Sequence, residues 1–304
     1  MVSLAAVVSF AGGCAASHKT AVKPGQAPLA VQTATSAQLI ERYNHQAESI
    51  RTVNAGVAMK LTSGSAYSGV IEQYHEVNGF ILASKPSSIR VIGQAPVIGK
   101  DIFDMISDGQ TFEIYIPSKH EFLTGPTNIK KQSAKPIENL RPQHLMDALL
   151  WSPIPEKDPV LFEESTEANV RYYVLTVIRE RENADARVSG EAGAMSFEIV
   201  RKIWFDRSDL HVSRVDSFDP GGAVMSDARY SDWQASGELS YPRQIEIERP
   251  GEDYQLAIHV NKLTLNETVA PEQFALKQPA GSDLVRIAED GTETKEPAKK
   301  EPQP

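Results

Sequence analysis

Apolar and polar residues alternate along most of the chain, and this alternation constrains the fold more than any other feature. Val57, Met59 and Leu61, for example, are separated by one alanine and one lysine. Because successive side chains of a strand point to opposite faces, a period of two is typical of strands that bury one face. Between residues 51 and 265 we count ten or eleven such runs without regularly interleaved helices. The sequence therefore predicts a mainly β fold with a curved antiparallel sheet.

Later runs repeat the pattern and add turns between them. After Val260 the apolar residues change phase, so we expect a β-bulge near Asn261 and Lys262. Asp108-Gly109 stands between two runs, and glycine in that position favours a tight hairpin. The apolar residues of these later runs include Phe112, Ile114, Ile116, Ile245, Ile247, Leu256 and Ile258.

Two segments break the alternation with a helical period. Ser36 is a candidate cap for a first helix, whose apolar positions recur every three or four residues as far as Ile50. A second, short helix lies between two prolines in residues 141–153, and its apolar side carries Leu145 and Leu149. A short apolar helix needs an apolar surface to cover, so we expect it to lie across the mouth of the curved sheet.

Composition excludes several classes of protein. The single cysteine can form neither an internal disulfide nor a paired-thiolate zinc site. A net charge of −9 argues against a nucleic-acid partner, which needs concentrated lysine and arginine. No motif for nucleophilic, metal-dependent or nucleotide-dependent catalysis is present, and the seven histidines show no metal spacing. We expect no enzymatic activity, no cofactor and no metal.

The cysteine lies directly after a short apolar stretch. Residues 2–10 are apolar but too few to cross a membrane as a helix, and Ala11-Gly12-Gly13-Cys14 follows them. This arrangement resembles the lipobox of bacterial lipoproteins, which implies a signal peptide over residues 1–13 and fatty acylation of Cys14. We expect a flexible tether over residues 14–35, one domain over 36–280, and a disordered, charged tail over 281–304. The alternative is a plain secretory signal with an incidental thiol.

The chain also resembles the bacterial lipoprotein-localisation family (LolA/LolB-like proteins). The resemblance rests on the opening helix and on "LASKPSSIRV" and "FDMISDGQTFEIYIPSKHEFLTG". Lys85-Pro86, Arg90, Asp108-Gly109 and Pro117 follow one another in the order of that family. The resemblance implies an incomplete β-barrel closed by helices, with an interior that accepts acyl chains.

These observations lead to one function and two alternatives. The first is a lipid-anchored protein of the outer membrane that faces the periplasm, binds acyl chains of lipoproteins, receives them from a periplasmic carrier, and takes part in their sorting. The alternatives are a structural or sensory envelope lipoprotein that binds a protein, and a carrier of another lipid. The candidate lining or lid residues are Val57, Met59, Leu61, Arg90, Phe112, Ile114, Ile116, Leu145, Leu149, Ile245, Ile247, Leu256 and Ile258.

Two points stay open at this level. A curved apolar sheet under a helix encloses either a ligand cavity or a filled core, and the sequence is compatible with both. Arg90 is either a latch for the lid or a solvated residue near a strand end.

Overall fold

A computed structural model describes residues 31–64, 71–129, 141–182 and 195–298. Cys14, the signal peptide and the tether as far as residue 30 lie outside the described residues, so the anchor stays a prediction. None of the helices in the described segments is long and apolar enough to span a membrane.

The described chain forms one large sheet with two α-helices. Helix α1 spans Ser36–Ser49 and helix α2 spans Pro142–Leu149. The sixteen strands, in chain order, are β1 Thr52–Ser63, β2 Glu72–Gln73, β3 Val77–Ser84, β4 Ser88–Gln94, β5 Asp101–Ser107, β6 Thr111–Ile116, β7 Glu121–Pro126, β8 Val160–Glu167, β9 Val170–Glu182, β10 Met195–Asp206, β11 Val212–Phe218, β12 Val224–Ser236, β13 Leu239–Arg249, β14 Tyr254–Leu265, β15 Asp283–Ile287 and β16 Glu293–Glu296.

The sheet is curved and open. Its order is β16-β15-β7-β6-β5-β4-β3-β1-β14-β13-β12-β11-β10-β9-β8, and β2 pairs with β1 beside this path. Strand β1 joins the two halves because it pairs with β3 on one side and with β14 on the other. The sequence thus predicted the fold class correctly but underestimated the number of strands.

The C-terminal segment corrects two predictions. Residues 283–296 form β15 and β16 rather than part of a disordered tail, and the sheet extends past residue 280. Strand β15 pairs with β7 in parallel, whereas every other pairing in the described sheet is antiparallel. A segment that returns to a sheet edge after a long connection cannot be located from its own charged composition.

Local features agree closely with the sequence patterns. Gly56 pairs with Lys262 and Val57 pairs with Val260, which leaves Asn261 as the extra residue of the predicted bulge. Asp108 also closes the predicted hairpin, since its carboxylate accepts from the backbone of Gln110 and Thr111.

One helix cap differs from the prediction. Thr35, not Ser36, caps α1, and its hydroxyl accepts from the Gln38 backbone amide.

The two helices lie on the same side of the sheet and define its covered face. Tyr43 of α1 and Leu145 of α2 belong to one buried cluster with strand residues such as Val57, Ile81 and Ile245. Their burial removes the apolar half of each alternating strand from water, which is the main stabilising contribution to such a fold. The opposite side is called the outer face.

Candidate functional site

The candidate site is the region where α2 and the chain after it cover the sheet. We call residues 142–154 the cover. Helix α2 starts at Pro142, which lacks an amide hydrogen and suits the first turn of a helix. The cover buries one continuous apolar side against the sheet and α1: Leu145, Met146, Leu149, Leu150, Trp151 and Ile154.

Hydrogen bonds to backbone carbonyls hold the end of α2. Tyr230 donates to the Ala148 carbonyl over 3.1 Å, and Tyr241 donates to the Leu149 carbonyl over 3.0 Å. Burial raises the pKa of both phenols, so they stay protonated and keep donating. Strands β12 and β13, which carry the two tyrosines, therefore fix the position where α2 ends.

Two cations hold the segment after α2. Lys85 donates to the Trp151 carbonyl over 2.6 Å and also to the Ala47 carbonyl at the end of α1. Arg201 donates to the Ser152 carbonyl over 2.7 Å and to the Pro153 carbonyl over 3.0 Å. Charged donors make stronger hydrogen bonds than neutral ones, so these contacts stabilise the closed position of the cover.

Trp151 is the centre of an aromatic cluster under the cover. Its ring stacks on Tyr43 with centroids 5.3 Å apart and meets Tyr230 edge-on at 5.1 Å. Its indole nitrogen donates to the Tyr230 hydroxyl over 2.9 Å. These contacts join α1, the cover and β12 into one packed unit.

The cavity at the end of the cover is small. A cavity of about 10 Å³ lies between the two helices and the sheet, lined by Ala47, Leu149, Trp151, Tyr230 and Tyr241 among others. Such a volume is about that needed by one water molecule and far below that of an acyl chain. Since Leu149, Leu150 and Trp151 are also buried, the described residues around this cavity form a filled core.

A buried polar cluster surrounds the start of α2. Arg249 donates to His144 Nε2 over 3.1 Å and forms an ion pair with Glu252. Nε2 must then be the acceptor, so Nδ1 carries the imidazole hydrogen and donates to the Tyr254 hydroxyl over 2.9 Å. Burial, together with the charges of Arg249 and Arg141, lowers the pKa of His144 to about 3. The imidazole is therefore neutral at ordinary pH.

This cluster predicts acid sensitivity. In the unfolded chain His144 takes up a proton near pH 6.5, whereas in the folded chain it stays neutral until about pH 3. The unfolded state thus binds more protons in that window, and stability falls on acidification by up to about 1.4 kcal/mol per pH unit.

Chemical denaturation between pH 7 and pH 4 measures this slope. His144→Gln should flatten it, whereas His75→Gln, at an exposed position, should not. An unchanged slope in His144→Gln would contradict the assignment.

The structure brings most of the predicted lining residues together on the covered face. Ile114 lies at the margin of the main cluster, and Ile116 is half-buried near the end of β6. Phe112 is buried next to its cross-strand partner Gly125. The remaining apolar candidates are buried within the cluster itself: Val57, Met59, Leu61, Leu145, Leu149, Ile245, Ile247, Leu256 and Ile258.

Arg90 is not positioned as a latch. Its neighbours Ile89 and Val91 are buried on the covered face, so its own side chain lies on the outer face. There its guanidinium makes two hydrogen bonds to Asp104, of 2.7 and 3.0 Å, and one to the Gln273 carbonyl. The alternation of β4 contained this information, because Arg90 is out of phase with Ile89 and Val91.

Sequence reasoning missed the residues that hold the cover. Trp151, Tyr230, Tyr241 and Arg201 are distant in sequence from one another, and three of them act through backbone carbonyls. The only available signal was the aromatic residue directly after the predicted helix.

Comparison with known proteins gives distant structural neighbours. No protein-family model matches the chain, and no curated protein matches it either. A LolA superfamily protein from Nitrosomonas europaea has a TM-score of 0.47 and 10% identity, covering 80% of this chain and 99% of its own. A putative outer membrane lipoprotein-sorting protein domain from Vibrio parahaemolyticus has a TM-score of 0.45 and 11% identity, covering 78% and 94%. A DUF1329 family protein from Desulfovibrio piger has a TM-score of 0.47 and 13% identity, covering 78% and 95%.

Proposed function

We propose that this chain is a lipid-handling protein of the bacterial envelope, and that its cover moves aside to admit an acyl chain onto the covered face. The single observation that supports this proposal is the construction of the cover. From Leu145 to Ile154 its buried side chains are apolar, and buried hydrophobic residues of the sheet run beneath it from β5 to β13. An acyl chain requires such a surface and no specific polar partner along its length.

The closed cover sets a condition on binding. Because Leu145 and Leu149 are buried and the cavity of about 10 Å³ beside Leu149 is far smaller than an acyl chain, such a chain must take the place now filled by cover side chains. The binding-competent state is then a minor population, and the apparent affinity falls by the fraction of molecules that are open. Loosening the cover should therefore strengthen lipid binding.

In its finer form the proposal assigns lipoprotein acyl chains as cargo and a role in their sorting at the outer membrane. The resemblance of the sequence to the lipoprotein-localisation family supports this assignment, as does the candidate lipobox at Cys14. A periplasmic carrier would then be the partner that delivers cargo. Mass spectrometry of material extracted from the protein, purified from a bacterial envelope, tests the cargo. Recovery of diacylglyceryl peptides supports it, whereas recovery of other lipids alone favours a carrier of another kind.

A second candidate function follows from the packed interior. A structural or sensory lipoprotein that binds a protein needs no cavity, and the filled space beneath the cover agrees with that role. In that case the extract should contain no bound lipid, and loosening the cover should lower stability without creating lipid uptake.

The anchor leads to a separate prediction. If Cys14 is acylated, Cys14→Ser should move the protein from the membrane fraction to the soluble fraction of the envelope. Each buried methylene contributes about 0.8 kcal/mol, so the loss of two or three acyl chains removes nearly all membrane affinity of the anchor. Fractionation followed by a high-salt wash measures the change, with Ser17→Ala as the control. Retention of Cys14→Ser after the wash would show that another feature holds the protein.

A further inference from the structure

A carboxylate, an imidazole and a hydroxyl lie in a row beside the cover. Ser240 Oγ is 3.4 Å from His211 Nε2, and His211 Nδ1 is 3.2 Å from the Asp209 carboxylate. The order of these groups is that of a nucleophile, a general base and the carboxylate that orients the base. We call Asp209, His211 and Ser240 the triad.

The turn between β10 and β11 brings two members of the triad together. Asp209 Oδ1 accepts from the His211 backbone amide over 2.8 Å, while its other carboxylate oxygen faces the imidazole. Leu210 between them has a φ of +58°, which is uncommon for a residue other than glycine. Such a conformation persists only where the surrounding structure holds it. The turn therefore fixes the carboxylate against one edge of the imidazole.

Trp233 fixes the plane of the imidazole. The two rings stack with centroids 4.8 Å apart, and the Trp233 indole nitrogen donates to the Val212 carbonyl. His211 Nδ1 is buried and faces the carboxylate, in a contact that is not aligned as a hydrogen bond. A hydrogen on Nδ1 leaves Nε2 as the acceptor for the Ser240 hydroxyl. Catalytic hydrogen bonds are often long before substrate binds, so a separation of 3.4 Å suits a general base.

The surroundings of the serine are apolar on the side of the cover. Tyr241 and Pro242, which follow Ser240, line the small cavity at the end of the cover. Trp233 contacts Trp151 of the cover, with ring centroids 6.1 Å apart. An apolar part of a substrate therefore fits on this side of the hydroxyl.

A polar donor and an opening to solvent complete the site. The Gln46 side-chain amide donates to the Ser240 carbonyl over 2.7 Å. Such an amide carries two hydrogens, and we assign the second to the oxyanion that forms when a carbonyl is attacked. Ser240 is half-buried and 27% of the His211 side chain is exposed, so a substrate reaches the pair from solvent.

We propose that the triad hydrolyses carboxylic esters that carry an apolar acyl group. Ser240 Oγ forms a bond to the carbonyl carbon as its hydrogen passes to His211 Nε2. The bond from that carbon to the alcohol oxygen then breaks, and Nε2 returns the hydrogen to the leaving alcohol. Water attacks the acyl-serine in the same way, which releases the acid and restores the hydroxyl. Asp209 is a positioning residue that stabilises the protonated imidazole.

This activity goes beyond lipid handling and departs from the sequence-based expectation of no enzymatic activity. Hydrolase motifs are local in sequence, whereas Ser240 follows His211 by 29 residues and meets it only through the order of β10 to β13. The hydrolytic step rests on the triad alone. Only the preference for a long acyl group rests on the proposed function.

Hydrolysis of p-nitrophenyl acetate by the full chain carrying Cys14→Ser tests the step, because this variant lacks the thiol, which is itself a nucleophile. We expect turnover that Ser240→Ala lowers at least about a hundredfold in kcat. His211→Gln, alone or combined with Ser240→Ala, should cause about the same loss, since residues that act as a unit are not additive. Ser231→Ala and His75→Gln, at exposed positions outside the triad, are the matched controls and should leave kcat unchanged.

Replacing the acetate with p-nitrophenyl octanoate separates the triad from the acyl site. Faster hydrolysis of the octanoate supports an acyl chain that extends toward the cover. Equal rates with both esters would support hydrolysis by the triad and count against the acyl site.

A fluorophosphonate probe gives a readout that does not depend on turnover. Ser240 Oγ should displace its fluoride as the hydroxyl hydrogen passes to His211, and mass spectrometry of peptides should locate the added phosphonyl group on Ser240. Circular dichroism checks that each variant is folded. Three results would each overturn the proposal: no turnover above the buffer rate, turnover that folded Ser240→Ala or His211→Gln retains, or labelling at another residue instead.

Discussion

Trp151→Ala is expected to lower the free energy of unfolding by about 3–5 kcal/mol, the range for large aromatic side chains in a packed core. Only 7% of Trp151 is exposed, and its ring contacts Tyr43, Tyr230 and Trp233. Truncation would leave a cavity at the junction of α1, the cover and β12. It would also remove the indole donor from the buried Tyr230 hydroxyl.

Urea denaturation followed by circular dichroism measures this loss. Trp151→Phe keeps most of the ring packing and should cost clearly less than the alanine variant. Trp204→Phe is a control for tryptophan replacement outside the cover, since Trp204 packs on Tyr172 instead. A loss below about 1 kcal/mol for Trp151→Ala would mean that the aromatic cluster does not hold the cover.

Arg201→Met should release the cover and strengthen acyl binding. The substitution keeps an apolar stem of similar length but removes the hydrogen bonds to the Ser152 and Pro153 carbonyls and to the Tyr43 hydroxyl. Hydrogen bonds from charged donors contribute about 1.5–3 kcal/mol each, and part of that loss is restored by water at these partly exposed carbonyls. A shift of about 1.4 kcal/mol toward the open state raises the apparent affinity about tenfold.

The same substitution at Arg207 provides a matched control. Arg207 follows β10 directly and packs over the ring of Tyr173, with hydrogen bonds to Gln32 and Glu164. Since these contacts lie away from the cover, Arg207→Met should change stability without changing acyl affinity. Equal effects of the two variants on acyl affinity would show that Arg201 does not act through the cover.

The sequence predicted the local features of the fold better than the number of its strands. The change of phase after Val260 predicted the bulge at Asn261, and Asp108-Gly109 predicted the hairpin between β5 and β6. Both features could be predicted because they depend on neighbouring residues. The structure describes fourteen strands between residues 52 and 265, more than the alternation indicated. Strand β8 shows why, since it lies at a sheet edge and is mostly exposed. None of its residues is buried, so its sequence need not alternate between apolar and polar residues.

The candidate site was predictable only on its apolar side. Leu145 and Leu149 follow a helical period, and burial against the sheet is the usual consequence of such a stripe. The polar contacts could not be predicted, because Arg201 and Lys85 reach carbonyls that any residue of the cover would present. The size of the space beneath the cover depends on side-chain packing among many strands. The sequence therefore could not separate a cavity from a filled core.

Saturable uptake of a fluorescent acyl probe tests the central claim most directly. The full chain carrying Cys14→Ser would be titrated with a fatty acid bearing a fluorophore, together with the same chain carrying Arg201→Met in addition. Our account predicts saturable binding by the first protein and about tenfold tighter binding by the second. Absence of saturable uptake by both proteins, with the sheet folded in each, would contradict lipid handling and favour a protein-binding role.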